Sequence, residues 1–306
     1  MGEPRVPLAV SDGTMSPPSQ KTVRKVRPWL LGIARVGFAA KGTIYLLIGG
    51  LALAFAVGFT RQPEDTRGAI EVVSQQPFGA VALLVLALGL VSYGLWNAVQ
   101  CVWDPEHVGR DWLGQALRGI FGLSAAVNAF LAYQTAGLAV GRAWSGEDGD
   151  AAVQSWTSRA LAWPGGRVLV LIAAAIMAGI ALSLVVRLVR GKYIHQFAEK
   201  ELAKTGSRVV KTCAWFGFLG QAVVAILIAW FLWRAGLHES PEEAGGFSKA
   251  LVTLLEQPFG RTLLGFTAFG VLMQGVYIWL MVPYREIHVR QVPEGVRDRW
   301  GRAWGW

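Results

Sequence analysis

Lys41 and a set of amides are the residues whose type and placement can do chemistry in an otherwise apolar chain. Lys41 stands several residues into the first long apolar stretch, and Asn97, Gln100, Asn128, Gln134, Gln221 and Gln274 fall inside or at the ends of later ones. An ammonium at membrane depth marks a ligand or ion pathway, unless its stem carries the charge back to the headgroups. Buried amides either join helices, for about 0.6 to 2 kcal/mol each, or line a cavity for a lipid, a quinone or a solute. The candidate ligand-binding set is therefore Lys41, Asn128, Gln221, Gln274, Asn97 and Gln100.

Other chemistry is thin. His107, His195, His238 and His288 lie outside the apolar stretches, so a membrane haem held by two imidazoles is not expected. Cys101 and Cys213 are single thiols without CxxC spacing, expected to be free and to serve packing. Asp104, Glu106, His107 and Asp111 cluster in one loop, a weak metal candidate without a second half. No phosphate loop, GxSxG, HExxH or dinucleotide fingerprint is present, so the expectation is a non-catalytic protein without metal or cofactor.

These groups need elements to position them. Charged residues make up 16% of the chain against 53% hydrophobic, where a soluble domain carries about 25% charged. A helix needs about 20 apolar residues to cross a bilayer core. Six stretches qualify: Gly42 to Phe59, Phe78 to Val99, Gly119 to Val140, Val168 to Val186, Thr212 to Trp233 and Leu263 to Val282. None holds an Asp or Glu, and none shows the alternation of a membrane β-strand. The expectation is an all-α integral membrane protein of six transmembrane helices. The proline-rich first 28 residues read as a polar tail without a cleavable signal sequence. The segment after Pro283, with Trp300, Trp304 and Trp306 among arginines, suits either a surface-lying amphipathic segment or plain disorder.

Charge sets the orientation. Most of the 29 basic residues fall on one side if both termini share it, among them Arg24, Lys25, Arg27, Arg118, Arg190, Lys192, Lys200, Lys204, Arg285 and Arg290. Basic loops stay cytoplasmic, which predicts cytoplasmic termini in a multi-pass inner-membrane protein. Trp29, Trp103, Trp112 and Trp215 then mark the cytoplasmic interface, and Trp144, Trp163, Trp230 and Trp233 the outer one. The net charge of +9 reads as topology and affinity for anionic headgroups, not as nucleic-acid binding.

The chain also resembles itself. Gln76-Pro77-Phe78-Gly79 recurs as Gln257-Pro258-Phe259-Gly260, and Gly68, Ala69, Gly89 and Gly94 recur at the same spacing as Lys249, Ala250, Gly270 and Gly275. Trp163-Pro164-Gly165-Gly166 is a weaker middle copy. Before each proline turn runs a short amphipathic stretch: Arg67 to Gln75, Asp150 to Ala162 and Gly246 to Gln257. Each is too short to span and has one apolar face, so it should lie along the outer interface. The expected organisation is three parallel two-helix repeats, 29–105, 112–193 and 208–285, between a cytoplasmic tail, 1–28, and another, 286–306. The simplest packing is a six-helix bundle with approximate threefold pseudosymmetry, with a linear or irregular order as the alternative. On this alignment Lys41 matches Ser124 and Gln221, so the position is polar in every copy.

The first copy carries Arg35, Gly37, Phe38, Ala39, Ala40, Lys41, Gly42 and Tyr45, then Pro77 and Gly79, then Gly89, Leu90, Tyr93 and Trp96. This pattern resembles a bacterial membrane family of unknown function, domain-of-unknown-function family 1206, over roughly Trp29 to Tyr284. The second copy matches least and has Asn128 where Tyr45 sits. The resemblance implies the fold and brings no activity. The leading functional expectation is a structural or accessory subunit, or a binder of lipid-like ligands. Its partners would be membrane lipids, including anionic headgroups, and a larger membrane complex or further copies of the chain. A small-solute transporter or channel is the alternative, because the repeat plan is similar to that of mitochondrial carriers. Their Pro-x-acid-x-x-basic signature is absent after Pro77 and Pro164.

Overall fold

The structure is a computed structural model that describes residues 28–103, 112–147, 149–190 and 207–283. The terminal segments and the loop holding Asp104, Glu106, His107 and Asp111 lie outside the described residues. The described fold is helical. Six long helices are α1 (Pro28–Ala56), α3 (Gly79–Trp103), α4 (Trp112–Ala139), α6 (Gly166–Arg190), α7 (Ser207–His238) and α9 (Gly260–Met281). Each holds a stretch long and apolar enough to cross a membrane. Three short helices precede α3, α6 and α9: α2 (Thr66–Ser74), α5 (Gly149–Leu161) and α8 (Phe247–Leu255).

Two bounds differ from the sequence expectation. Helix α1 starts at Pro28, well before Gly42, because proline is tolerated in a first helical turn and no breaker follows it. Helix α7 runs past Thr212 and Trp233 at both ends. The longer α1 places Lys41 about 13 Å along the helix from Gly32, the start of its apolar span. It is therefore well inside the helix rather than at its mouth.

The long helices pack in the order α4, α3, α1, α9, α7, α6; α4 and α6, at the two ends, are not packed on each other. Small residues set the close contacts, since lipid gives helices no hydrophobic drive toward one another. A Cβ on Gly37 of α1 would lie 2.6 Å from the Tyr93 amide nitrogen and 2.7 Å from its Cα on α3. A Cβ on Gly217 of α7 would lie 2.8 Å from the Gln274 Cα on α9. One turn on, Gly89 meets Ala40, and Gly270 meets Gly220. The first and last helix pairs thus join by the same backbone approach. Between α1 and α9, Gly49 faces Leu272 and Gly275 faces Leu46. Arg118 of α4 donates to the Cys101 and Val102 carbonyls at the end of α3, at 2.7 and 3.0 Å. Cys101 and Cys213 are free thiols, the latter buried.

The proline turns have one geometry. Phe78, Gly165 and Phe259 each take a left-handed backbone, with φ of 66°, 82° and 60°. The following Gly79, Gly166 and Gly260 lie against carbonyls that end the preceding short helix, where any Cβ would clash. Trp163 and the two turn phenylalanines, Phe78 and Phe259, are exposed at this end of the molecule.

Side-chain caps tie the short helices to one another. Asp65 caps its own α2 through the Arg67 and Gly68 amides and also accepts from Gly149, which starts α5, at 2.9 Å. Asp150 in turn accepts from the Gly246 and Lys249 amides at 2.6 and 2.7 Å. Gly246 is the N-cap of α8 and has no side chain, so Asp150 supplies the missing cap from a neighbouring helix. The Lys249 ammonium donates to the Glu242, Glu243 and Ala244 carbonyls at 2.7, 3.0 and 3.1 Å.

Candidate functional site

Helix α1 places Lys41. Its face carrying Ala34, Ile48, Ala52 and Phe55 is buried, while Val36 on the opposite side is half exposed. Residues three and four apart share a face, so Lys41 and Tyr45 belong with Ile48 on the buried side. Gly37 and Ala40 turn toward α3, and Gly42 and Gly49 toward α9. The Lys41 face therefore looks into the bundle between those two neighbours. Tyr45 packs on two buried clusters, one built on α1, α2 and α3 and the other on α7 and α9.

The Lys41 ammonium donates to the Tyr93 hydroxyl on α3 at 2.8 Å. It also stands 4.9 Å from the Tyr93 ring centroid and 6.0 Å from that of Tyr45. The backbone contact at Gly37 brings Tyr93 this close, so the glycine and the polar pair are one construction. Asn97, one turn further on α3 and buried, donates to the Tyr93 carbonyl at 2.8 Å. Asn128 of α4 donates to the Ser124 carbonyl at 2.7 Å and lies beside Gly94, the residue after Tyr93. Lys41 and Tyr93 thus form a side-chain pair between α1 and α3, with Asn97 on the Tyr93 main chain and Asn128 at the contact of α3 with α4.

The remaining candidates are placed apart from this group. Gln100 is buried one turn beyond Asn97. Gln221 is half-buried on α7. Gln274 is buried between α9 and α7 against Gly217, and its side-chain oxygen has no hydrogen-bond donor among the described residues. Gln134 pairs with Ser145 in the following loop. The amides of Asn97 and Asn128 bond carbonyls of their own helices, four residues back, and not a neighbouring helix as expected. An α-helix leaves that carbonyl's second lone pair open, and the short Asn side chain reaches it without crossing a groove.

Sequence reasoning missed two parts. Tyr93 entered only as a family motif residue, although its spacing of four from Gly89 puts it on the same face, the one that meets α1. Asp65 and Asp150 went unread as caps, although Asp65 stands just before the first short amphipathic stretch and Asp150 opens the second. At the end that carries the short helices, His238 and Arg234 both bond Glu243, at 2.9 and 3.0 Å. The His238 hydrogen bond, ahead of Arg234, holds the Glu243 carboxyl below the usual carboxylate range. Burial pushes the Lys249 ammonium below its ordinary value, with Asp150 and Glu243 opposing the shift. Among the described residues no group of three or more His, Cys, Asp or Glu side chains converges to hold a metal.

The profile of a Domain of Unknown Function, DUF1206, matches this chain over residues 36–104 and again over 216–285. Two copies of the DUF1206 domain are thus matched within the chain. The first match takes in Lys41, Tyr93, Asn97 and Gln100, the second Gln221 and Gln274; Asn128 lies between them. A Bacillus subtilis (strain 168) protein named "Uncharacterized protein YxxB" is 28% identical over 281 residues, covering 92% of this chain and 98% of its own. No solved structure matches the chain. The two DUF1206 copies are also the two helix pairs that pack alike, at Gly37 with Tyr93 and at Gly217 with Gln274.

Proposed function

We propose that this multi-span DUF1206 protein is non-catalytic and holds a lipid-like ligand inside its helix bundle, with the ligand's polar group at Lys41 and Tyr93. The observation that carries this reading is the inward-facing Lys41 ammonium, held on the Tyr93 hydroxyl well inside α1. An ammonium has three donors and a phenol both donates and accepts. Together they can bind the oxygen-bearing head of such a ligand. In this reading the chain is three parallel two-helix repeats, α1 with α3, α4 with α6 and α7 with α9. The middle copy has diverged most. The short helices lie on the outer face and both termini are cytoplasmic, as the distribution of basic residues supports.

The test is native mass spectrometry of the full-length protein extracted in mild detergent, comparing parent with Lys41→Met and Tyr93→Phe. The expected result is a co-purified lipid-like species in the parent, lost in Lys41→Met and reduced in Tyr93→Phe. A parent that carries none, in native membrane extracts and after reloading with total lipid, overturns the proposal.

A further inference from the structure

On the proposed repeat assignment, the three helix pairs are not alike, and the difference is written in residue size. The first pair is joined through Gly37, Ala40, Gly89 and Tyr93, the last through Gly217, Gly220, Gly270 and Gln274. The matching positions of the middle pair are Ile120 and Leu123 on α4 and Ile176 and Ile180 on α6. Branched side chains there forbid the backbone approach that closes the other two pairs. All four are exposed, at 37%, 67%, 47% and 36%. The contacts between successive repeats, α3 with α4, α6 with α7 and α9 with α1, are all present. The six helices therefore follow the order of a threefold ring opened at one seam, between α4 and α6.

The opening is bridged at the outer end and not along the helices. Asp65 holds Gly149 at the start of α5, and α5 leads directly into α6. Below that bridge, α4 and α6 present Ile120, Leu123, Ile176 and Ile180 as exposed apolar side chains. The Lys41–Tyr93 pair is held between α1 and α3, on the face of α1 that looks into the bundle.

We infer that an acidic amphiphile enters sideways from the bilayer through the α4–α6 opening. Its carboxylate or phosphate reaches Lys41 and Tyr93, and its chain lies between Ile120, Leu123, Ile176 and Ile180. The inference rests on the proposed binding function and adds the ligand's charge class and its route. Charge complementarity selects the acid: the Lys41 ammonium is a cation well inside α1, with the Tyr93 hydroxyl 2.8 Å from it. The chain's place follows from the exposed branched residues that line both walls of the gap.

The experiment uses the full chain in neutral phosphatidylcholine nanodiscs with photoreactive probes. One is a fatty acid, one a phosphatidylglycerol and one an uncharged monoacylglycerol. Labelling is mapped by peptide mass spectrometry on the inner face of α1 around Lys41 and Tyr45, with Val36 on the lipid-facing side as internal reference. The opening is closed in two ways. Ile120→Gly, Leu123→Ala and Ile176→Gly restore the small residues of the first pair. Independently, Ile120→Cys and Ile180→Cys, with Cys101→Ser and Cys213→Ala, are tethered by a bismaleimide on the folded protein.

In the parent, one or both acidic probes should label the inner face at least tenfold more than the uncharged probe, and which one does so separates carboxylate from phosphate. Either closure should cut inner labelling at least tenfold while Val36 labelling holds. Inner labelling that survives the tether overturns the route. Equal inner labelling by the uncharged probe overturns the acidic class. No inner labelling by any probe in the parent overturns the binding reading, and the inference with it.

Discussion

Replacing Gly37 by alanine tests whether backbone contact joins α1 to α3 and so builds the polar pair. A Cβ there would sit 2.6 and 2.7 Å from the Tyr93 amide nitrogen and Cα, whereas ordinary contact begins near 3.4 Å. The obstacle is main chain, so no rotamer change relieves it and the two helices must part by about 0.8 Å. Forcing a methyl into a packed interface costs about 1–3 kcal/mol. Alanine returns about 1 kcal/mol of helix propensity over glycine. The net expectation is a loss of up to about 2 kcal/mol. Gly179 on α6 has open space around its Cβ position, so Gly179→Ala keeps the propensity gain and loses no contact. The assay is SDS-titrated unfolding in mixed micelles followed by circular dichroism, with the two variants beside the parent. Gly37→Ala should fall below the parent and Gly179→Ala equal or exceed it. Should Gly37→Ala prove as stable as Gly179→Ala, the close-contact account of the first helix pair is wrong, and so is the contrast drawn with the middle pair.

Asp150→Ala should cost about 1–2 kcal/mol as a lost helix cap and raise amide exchange at Gly246 to Lys249, leaving α2, capped by Asp65, unchanged; equal exchange at Lys249 in parent and variant would sink the cap assignment. Gln274→Met should be neutral or stabilising in detergent-purified protein, because its side-chain oxygen is buried without a donor; a clear loss of melting temperature would show that the oxygen is satisfied. Glu243 has its folded value depressed, so its contribution is present above the ordinary carboxylate range and lost as pH falls through the folded value. Glu243→Gln should therefore flatten the acid limb of the melting temperature against pH, and an unchanged limb would refute this. For orientation, Asp148→Cys should react with an impermeant maleimide applied to intact cells and Lys200→Cys should not; labelling of Lys200→Cys reverses the topology.

Much of the fold was legible because the bilayer imposes run length, and run length survives in a single sequence. The six spans, the three short helices and the proline turns follow from apolar length, amphipathic spacing and Pro-x-Gly. Helix ends were less legible. Pro28 reads as a breaker in a proline-rich tail, yet at a first helical position it costs no hydrogen bond, so α1 extends back to it. Lys41 was visible as a charge near an apolar stretch, but its partner was not. Hydrogen bonding to Tyr93 depends on how near α3 comes to α1, and that distance is set by Gly37, a residue with no chemistry of its own. The amides show the converse limit. Asn97 and Asn128 can bond their own helix or a neighbour, and only the groove width decides between them.

The state of the middle pair was encoded as well, in residues that carry no functional signal singly. Ile120 or Ile180 alone is an ordinary lipid-facing side chain. Set beside Gly37 and Tyr93, or Gly217 and Gln274, each becomes a statement about how near two helices can come. The size of a residue at an interface between helices is a distance constraint, because packed backbones do not yield by a methyl group. Two helix pairs obey the close constraint and α4 with α6 does not, while α3 with α4, α6 with α7 and α9 with α1 are all packed. An irregular bundle would show no such sorting of large and small residues by position. On the proposed ring of repeats, that sorting keeps the assembly joined and leaves one side open to the bilayer.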